Sequence, residues 1–156
     1  MTRRPESEQI QQAAEEVFEV WTLTWIGPEN EDKYDLNEVQ ALTLDLLTKN
    51  ESINVGELQR RIGVSPTKMS RVVRGLEREA APPLVECRFN ADDRRKIDVS
   101  ITKAGRTAHD AYRSSRVARI INVLGEMLES DRAEFVRLIR ILREKLTQQA
   151  DASKHA

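Results

Sequence analysis

Cysteine, histidine and long apolar runs are scarce in this chain, and their scarcity excludes several functions. One cysteine cannot close an internal disulfide, which fits a reducing compartment. The two histidines, His109 and His155, lie far apart, and no cluster of residues has metal-ligand spacing. No apolar run reaches membrane length, and residues 1–5 show no signal-peptide pattern. We therefore expect a cytoplasmic protein that binds neither a membrane nor a metal.

The chain also lacks the arrangements that would indicate an enzyme. No nucleophile, base and orienting group recur in a recognisable pattern, and no glycine-rich phosphate loop is present. We expect neither catalysis nor a cofactor.

Aromatic residues are few and charged residues are many, which bears on how the chain forms a core. Only 4% of the 156 residues are aromatic and 33% are charged. Long helices that share apolar faces with a partner chain are therefore more plausible than a compact monomer. The net charge of −1 conceals a partition: residues 1–51 carry −8, residues 52–106 carry +5 and residues 107–156 carry +2. Only the middle third suits a polyanion such as DNA.

Residues 54–78 predict two short helices joined by a three-residue turn. Asn54 can cap the first helix by accepting from the amide of Glu57, whose carboxylate reaches back as in a capping box. Gly63 can end that helix in the left-handed conformation, and Ser65-Pro66 supplies the start of the next one. Apolar residues at spacings of three and four predict one buried face on each helix: Val55, Leu58 and Ile62 on the first, and Met69, Val72, Val73 and Leu76 on the second.

The outward side of the second helix is basic and bears hydroxyl groups. Residues 60–78 hold six Lys or Arg against one acid, Glu77, and so lack the opposite charges of an ordinary salt-bridged surface. The simpler alternative is a solvated helix face. We favour a surface that contacts nucleic acid, formed by Thr67, Lys68, Ser70, Arg71, Arg74 and Arg78.

Two alternating segments after this helix predict a β-hairpin. Leu84 and Val85 open the first strand, residues 90–96 form a polar, basic tip, and Ile97, Val99 and Ile101 alternate along the second strand. Cys87 alternates with Val85 and Phe89 toward the core, which favours an inert packed thiol over a redox sensor. A helix-turn-helix followed by a basic hairpin has the pattern of a winged helix.

The segment resembles the winged helix-turn-helix of the MarR family of bacterial transcription regulators. The order of the short motifs carries the resemblance, above all the Asp-x-Arg of the wing, followed by a strand and Thr-x-x-Gly. One departure is the linker Ala80–Pro83, which is longer than usual, lacks the family's usual glycine and leaves the tilt of the wing open. The matching residues are Val55-Gly56-Glu57-Leu58, Ile62-Gly63-Val64-Ser65, Ser70-Arg71-Val72-Val73, Leu76-Glu77, Asp93-Arg94-Arg95 and Ile101-Thr102-Lys103-Ala104-Gly105.

The resemblance implies one domain over residues 1–156 and a homodimer. The fold class is then mainly α with a small β-hairpin wing: a winged helix-turn-helix over 36–102, and dimerisation helices over 6–26 and 104–147. Residues 148–156 are expected to be a frayed tail. A two-fold dimer would set two recognition helices into successive major grooves of a pseudo-palindromic operator, and we expect a repressor.

Geometry and the resemblance together assign roles to the basic residues. Arg71 is the first candidate for a base-edge contact, with Thr67, Lys68 and Ser70 nearby. Ser65 and Arg74 are expected to hold phosphates. At the wing, the resemblance implies that Asp93 orients Arg95 toward a minor groove, while Arg94 and Lys96 add phosphate attraction.

The resemblance further implies a small, often aromatic ligand that binds between the dimerisation helices and the winged domain. Trp21, Trp25, His109 and Tyr112 are candidates for that site, although each has an ordinary structural explanation. The rival function is a winged-helix module that binds a protein and has lost specific DNA reading. A neutral or acidic recognition helix would mark it, and Lys68, Arg71 and Arg74 argue against it.

Overall fold

Six helices and a three-stranded sheet make up the computed structural model, which describes residues 4–25 and 34–152. The chain divides into two units, Met1–Arg116 and Val117–Ala156. The elements in chain order are α1 (Arg4–Trp25), α2 (Glu38–Thr48), β1 (Ile53–Asn54), α3 (Val55–Ile62), α4 (Pro66–Arg74), β2 (Val85–Phe89), β3 (Ile97–Ile101), α5 (Lys103–Glu126) and α6 (Glu129–Ala152).

The core of the first unit forms where α2, α3 and α4 pack with the sheet. Leu44 and Leu47 of α2 are fully buried against Leu58 of α3 and Met69 of α4. The predicted spacing therefore places the expected apolar faces inward. Removing so many large side chains from water is the main stabilising contribution to this unit.

Local capping explains where α3 and α4 begin and end. The side chain of Asn54 accepts from the amide of Glu57, Gly63 ends α3 with φ at 75°, and Ser65 caps α4 with Pro66 in its first turn. These predictions are confirmed. The Glu57 carboxylate, which we expected to reach back to the cap, binds Arg60 and Arg61 at 2.6 Å each.

The sheet has a third strand that the alternating pattern did not predict. The strand order in the sheet is β1-β3-β2, and both pairings are antiparallel. Val99 of β3 lies opposite Ile53 on one side and opposite Cys87 on the other. Because β1 is only two residues long, it is too short to show a periodic pattern. It fixes the base of the hairpin to the start of α3.

The second helix ends differently from the prediction of one regular helix through Arg78. After Arg74 the backbone widens into a π-helical turn, Gly75–Glu79, and Ala80 closes it by donating to the carbonyl of Gly75. The bridge Ala80–Pro83 follows, with a cis peptide bond between Ala81 and Pro82. The amide of Leu84 then donates to the Leu76 carbonyl at 2.8 Å, which ties the start of the wing to the end of the helix.

Gly105 allows α5 to approach the sheet closely. A Cβ at this position would lie 2.0 Å from the carbonyl oxygen of Leu84. Thr102 caps α5 by accepting from the Gly105 amide at 3.0 Å, and its hydroxyl donates to the Pro83 carbonyl at 2.8 Å. The Thr-x-x-Gly motif therefore packs the helix against the wing strand.

The helices outside this core expose large apolar side chains. On α1, Ile10, Phe18 and Leu23 are each at least 60% exposed. On α6, which begins at Glu129, the exposed residues include Leu138 and Leu146. Helix α6 continues to Ala152 and so includes residues 148–152 of the expected tail, and residues 153–156 lie outside the described residues. Over the described ranges, no helix combines the length and apolar character needed to cross a membrane.

Candidate nucleic-acid interface

The outward face of α4 is exposed and carries cations that form no ion pairs. Lys68, Arg71 and Arg74 are all exposed, and none of them forms an ion pair within the part of the chain that the structure describes. Thr67 and Ser70 are exposed on the same helix, while Met69, Val72 and Val73 hold its other face in the core. The hydroxyl of Ser65 accepts from the amide of Lys68 at 3.2 Å, so it also caps the helix.

The six cations of residues 60–78 do not all remain unpaired. Arg60 and Arg61 share the carboxylate of Glu57, and the Arg78 guanidinium lies 3.5 Å from Glu77. The expectation that this run lacks opposite charges was therefore wrong for three of its six members: Arg60 and Arg61 pair with Glu57 just outside the run, and Arg78 lies beside Glu77, the one acid inside it. The cations without ion pairs are those of α4 itself.

Backbone hydrogen bonds shape the tip of the wing. The side-chain oxygen of Asn90 accepts from the amides of Asp92 and Asp93, and its nitrogen donates to Asp98 at 2.7 Å. The Lys96 amide donates to the Asp93 carbonyl at 2.8 Å. Asparagine favours such turns because its side chain can bond to the backbone two and three residues on.

Asp93 orients Arg95 at this tip. One carboxylate oxygen of Asp93 accepts from both the amide and the Nε of Arg95, each at 3.1 Å, and the other lies 3.8 Å from the Lys96 ammonium. The bond from the Arg95 side chain, followed by the bond from its amide, lowers the pKa of Asp93. The Arg95 side chain is nevertheless 92% exposed, so its guanidinium is both aimed and accessible. Arg94 is exposed beside it.

A cleft of about 830 Å³ separates α4 from the wing. The cleft is lined by Ser70 and Arg74 of α4 and by Arg95 and Lys96 of the wing. Its lining holds six cationic side chains against the single acid Glu77. The structure therefore brings predicted residues of the helix and the wing to one cationic hollow. Arg71, Lys68 and Thr67 are not among its lining residues.

The lining residues that were missing from the predicted site include Arg60, Arg88 and Phe89. Phe89 was predicted to face the core, and that prediction was wrong, because the side chain is 75% exposed. The alternating pattern correctly places Phe89 on the same sheet face as Val85 and Cys87. Toward the tip of the hairpin this face extends beyond the core. A local sequence pattern does not show at which residue of a strand the core ends.

Cys87 lies in the half-buried middle of this face. Burial first, and then the adjacent Glu77 carboxylate, raise the pKa of the Cys87 thiol to about 11. A Glu77 side-chain oxygen also accepts from the Cys87 amide at 3.1 Å, which joins the helix end to β2. The thiolate is the reactive form of cysteine, so the raised pKa agrees with the inert thiol that the sequence favoured.

The four candidate ligand residues lie in different surroundings. His109 is buried, and its Nε2 lies 3.2 Å from an Asp45 carboxylate oxygen. Arg116 lies over the Tyr112 ring, 5.0 Å from its centroid, and donates to the Thr24 carbonyl at 2.8 Å. Trp21 is half-exposed and contacts Phe18. The side chain of Trp25 lies outside the described residues.

His109 also lines a cavity of about 310 Å³, whose other lining residues are Asp45, Thr48, Lys49, Arg106, Asp110 and Arg113. Neither Trp21 nor Tyr112 lines it, so the structure does not unite the aromatic candidates with His109 in this cavity.

A helix-turn-helix with an unpaired basic face, beside a hairpin that aims an arginine, defines a winged-helix protein of the nucleic-acid-binding class. Residues 36–97 match the model of the MarR family. Solved structures with this fold include a MarR family protein from Bacillus stearothermophilus (18% identity, 94% of this chain, 99% of that chain, TM-score 0.72). RV1404 from Mycobacterium tuberculosis is similar too (21% identity, 89% of this chain, 92% of that chain, TM-score 0.73).

A third similar structure is BpsR from Bordetella bronchiseptica (17% identity, 86% of this chain, 98% of that chain, TM-score 0.57), whose DNA binding is described as regulated by 6-hydroxynicotinic acid. No curated protein sequence matches the chain. Residues 36–97 of the chain are therefore similar to the MarR family, and the solved structures share its winged-helix fold.

Proposed function

We propose that this protein is a homodimeric, sequence-specific regulator that binds duplex DNA and represses transcription. The cleft between α4 and the wing carries the proposal. Ser70 and Arg74 on one side, and Arg95 and Lys96 on the other, line one cationic hollow that is open to solvent. A duplex is the partner that can offer phosphates to α4 and to the wing at once, while it presents its base edges to α4.

In this proposal α4 enters the major groove. Arg71 reads a guanine through its O6 and N7 atoms, because its guanidinium is exposed and no acid within the described ranges pairs with it. Thr67, Lys68 and Ser70 contact neighbouring bases. Ser65 and Arg74 hold phosphates and so set the register of the helix without reading sequence.

The wing extends the contact beyond the major groove. Arg95 enters the adjacent minor groove, since Asp93 already holds its backbone and side chain in one orientation. Pre-orientation lowers the entropy that the arginine loses on binding. Arg94 and Lys96 attract phosphates, and their contribution falls as salt is raised.

The apolar residues that α1 and α6 expose support the proposed homodimer. Phe18 and Leu23 on α1, and Leu138 and Leu142 on α6, are large apolar side chains that a partner chain would remove from water. A two-fold dimer would present its two α4 helices about 34 Å apart, and the operator would then be a pseudo-palindrome. Bound over a promoter, such a dimer would repress it.

A small ligand that releases the dimer from DNA completes the proposal. BpsR, which has the same fold, is described as regulated by 6-hydroxynicotinic acid, and that description supports an analogous control here. Trp21, Trp25, His109 and Tyr112 remain the proposed contacts, with a small aromatic compound as the ligand class.

The test is binding of the purified protein to its own promoter region and to random duplex of equal length, across a salt series. The proposal predicts a specific complex near physiological salt and a two-fold symmetric footprint. Weak binding that salt abolishes equally on both duplexes would contradict it, and would favour a winged-helix module that binds a protein.

A further inference from the structure

We propose that Phe89 and Ile97 form an apolar contact with the deoxyribose edge of the bound duplex. This inference rests on the proposed binding of DNA at the cleft, and it adds a contact that charge alone does not supply. The two residues are directly opposite each other in the β2–β3 register, at the end nearest the tip. Phe89 is 75% exposed and Ile97 is 42% exposed.

The pair continues the buried face of the hairpin into the open cleft. Successive pairs on this face are Val85 with Ile101, Cys87 with Val99, and Phe89 with Ile97. Val85 and Val99 are fully buried, whereas Phe89 and Ile97 are exposed and line the cleft. Single exposed apolar residues are ordinary, but a cross-strand pair at the mouth of a charged cleft marks a binding surface.

The charges around the pair identify the occupant. Arg88, Arg95 and Lys96 lie beside it on the wing, and Arg60 and Arg74 lie across the cleft. Along a DNA strand, apolar sugar carbons alternate with phosphates, so the strand can contact the pair and the surrounding cations at once. A duplex therefore complements both properties of this surface.

An apolar contact has a signature that separates it from a phosphate contact. Each neutralised phosphate releases counterions and steepens the fall of affinity with salt, whereas burial of a phenyl ring releases none. Removing the ring should therefore weaken binding by the same factor at every salt concentration. We expect Phe89→Thr to lower operator affinity about tenfold, as the burial of a large part of one phenyl side chain implies.

The experiment measures operator affinity by fluorescence anisotropy across a salt series. Threonine is chosen because it retains a high propensity for strands, and Ile97→Thr provides a second variant at the same surface. Lys96→Ala is the contrasting variant, and it should reduce the salt slope by about one for each protomer of the dimer. Leu42→Thr removes an equally exposed apolar side chain from α2, outside the cleft, and should bind like the wild type.

Parallel salt plots displaced to weaker binding for Phe89→Thr and Ile97→Thr support the inference. The inference is overturned if both variants bind the operator as tightly as the wild type. It is also overturned if they change the salt slope without weakening binding by a constant factor. Either result leaves the proposed function intact. If the wild type does not prefer its operator, both proposals fall together.

A direct readout does not depend on variants. Nuclear Overhauser effects between the Ile97 methyl groups and deoxyribose protons are expected in the complex of the wild-type protein with its operator. Their absence, in a complex that shows such effects elsewhere, would also overturn the contact.

Discussion

The substitution Arg71→Ala tests how α4 reads sequence. Arg71 is exposed and forms no ion pair within the described ranges, so its removal leaves no partner unsatisfied in the free protein. The free energy of unfolding should therefore change by less than about 0.5 kcal/mol. Any loss of binding then reports on the complex alone.

The expected loss follows from the proposed contact with guanine. A two-pronged arginine contact contributes ~1 to 3 kcal/mol of discrimination at each half-site, so the preference for operator over random duplex should fall about 5- to 150-fold for each half-site that loses the contact. Binding to random duplex should change much less. The matched control is Arg74→Ala on the same helix, because Arg74 lines the cleft and is proposed to hold a phosphate.

The assay compares dissociation constants for operator and random duplex at several salt concentrations. Arg74→Ala should weaken both duplexes alike and reduce the salt slope by about one for each protomer of the dimer. If Arg71→Ala lost the same factor on both duplexes, the assignment of Arg71 to a base edge would be refuted.

Four further predictions concern the rest of the chain. Gly105→Ala should lower the free energy of unfolding by about 3 kcal/mol in urea titrations, because its Cβ would meet the Leu84 carbonyl oxygen at 2.0 Å; an unchanged midpoint would contradict this. Peroxide at neutral pH should leave DNA binding unchanged and Cys87 unoxidised by mass spectrometry, because the raised pKa keeps its thiol protonated until pH approaches about 11. Leu142→Asp should convert the dimer to a monomer in sedimentation analysis, and an unchanged mass would place the interface elsewhere. Because Arg95 lowers the pKa of Asp93, the stabilisation of the wing by this pair is complete above the ordinary pKa of aspartate; it should be lost only as pH falls through the lowered value, as carboxyl chemical shifts would show.

The sequence was most informative where local chemistry decides the structure. Asn54, Gly63 and Ser65-Pro66 mark helix ends through their own side chains or backbone freedom, and each was found where it was predicted. The buried faces of α3 and α4 follow from apolar spacing for the same reason. The two strands of the wing and the similarity to the family were also predicted correctly.

The errors concern features that depend on residues distant in sequence or on context. Strand β1 exists because β3 offers it a partner, and its two residues show no period of their own. Phe89 keeps the predicted alternation, but only the tertiary structure shows that the core ends before it. The pairing of Arg60 and Arg61 required Glu57, one turn before the basic run. The joint lining of the cleft by helix and wing could not be predicted, because no local pattern fixes the angle between them.

The most direct test of the central claim is the acetylation rate of individual lysines with and without operator duplex. Lys68 on α4 and Lys96 on the wing should be protected by operator, whereas Lys49 at the C-terminal cap of α2 and Lys145 on α6 should react as they do in the free protein. Protection of Lys68 and Lys96 together would place DNA against both α4 and the wing. Protection of Lys49 or Lys145, with Lys68 and Lys96 unchanged, would contradict the account.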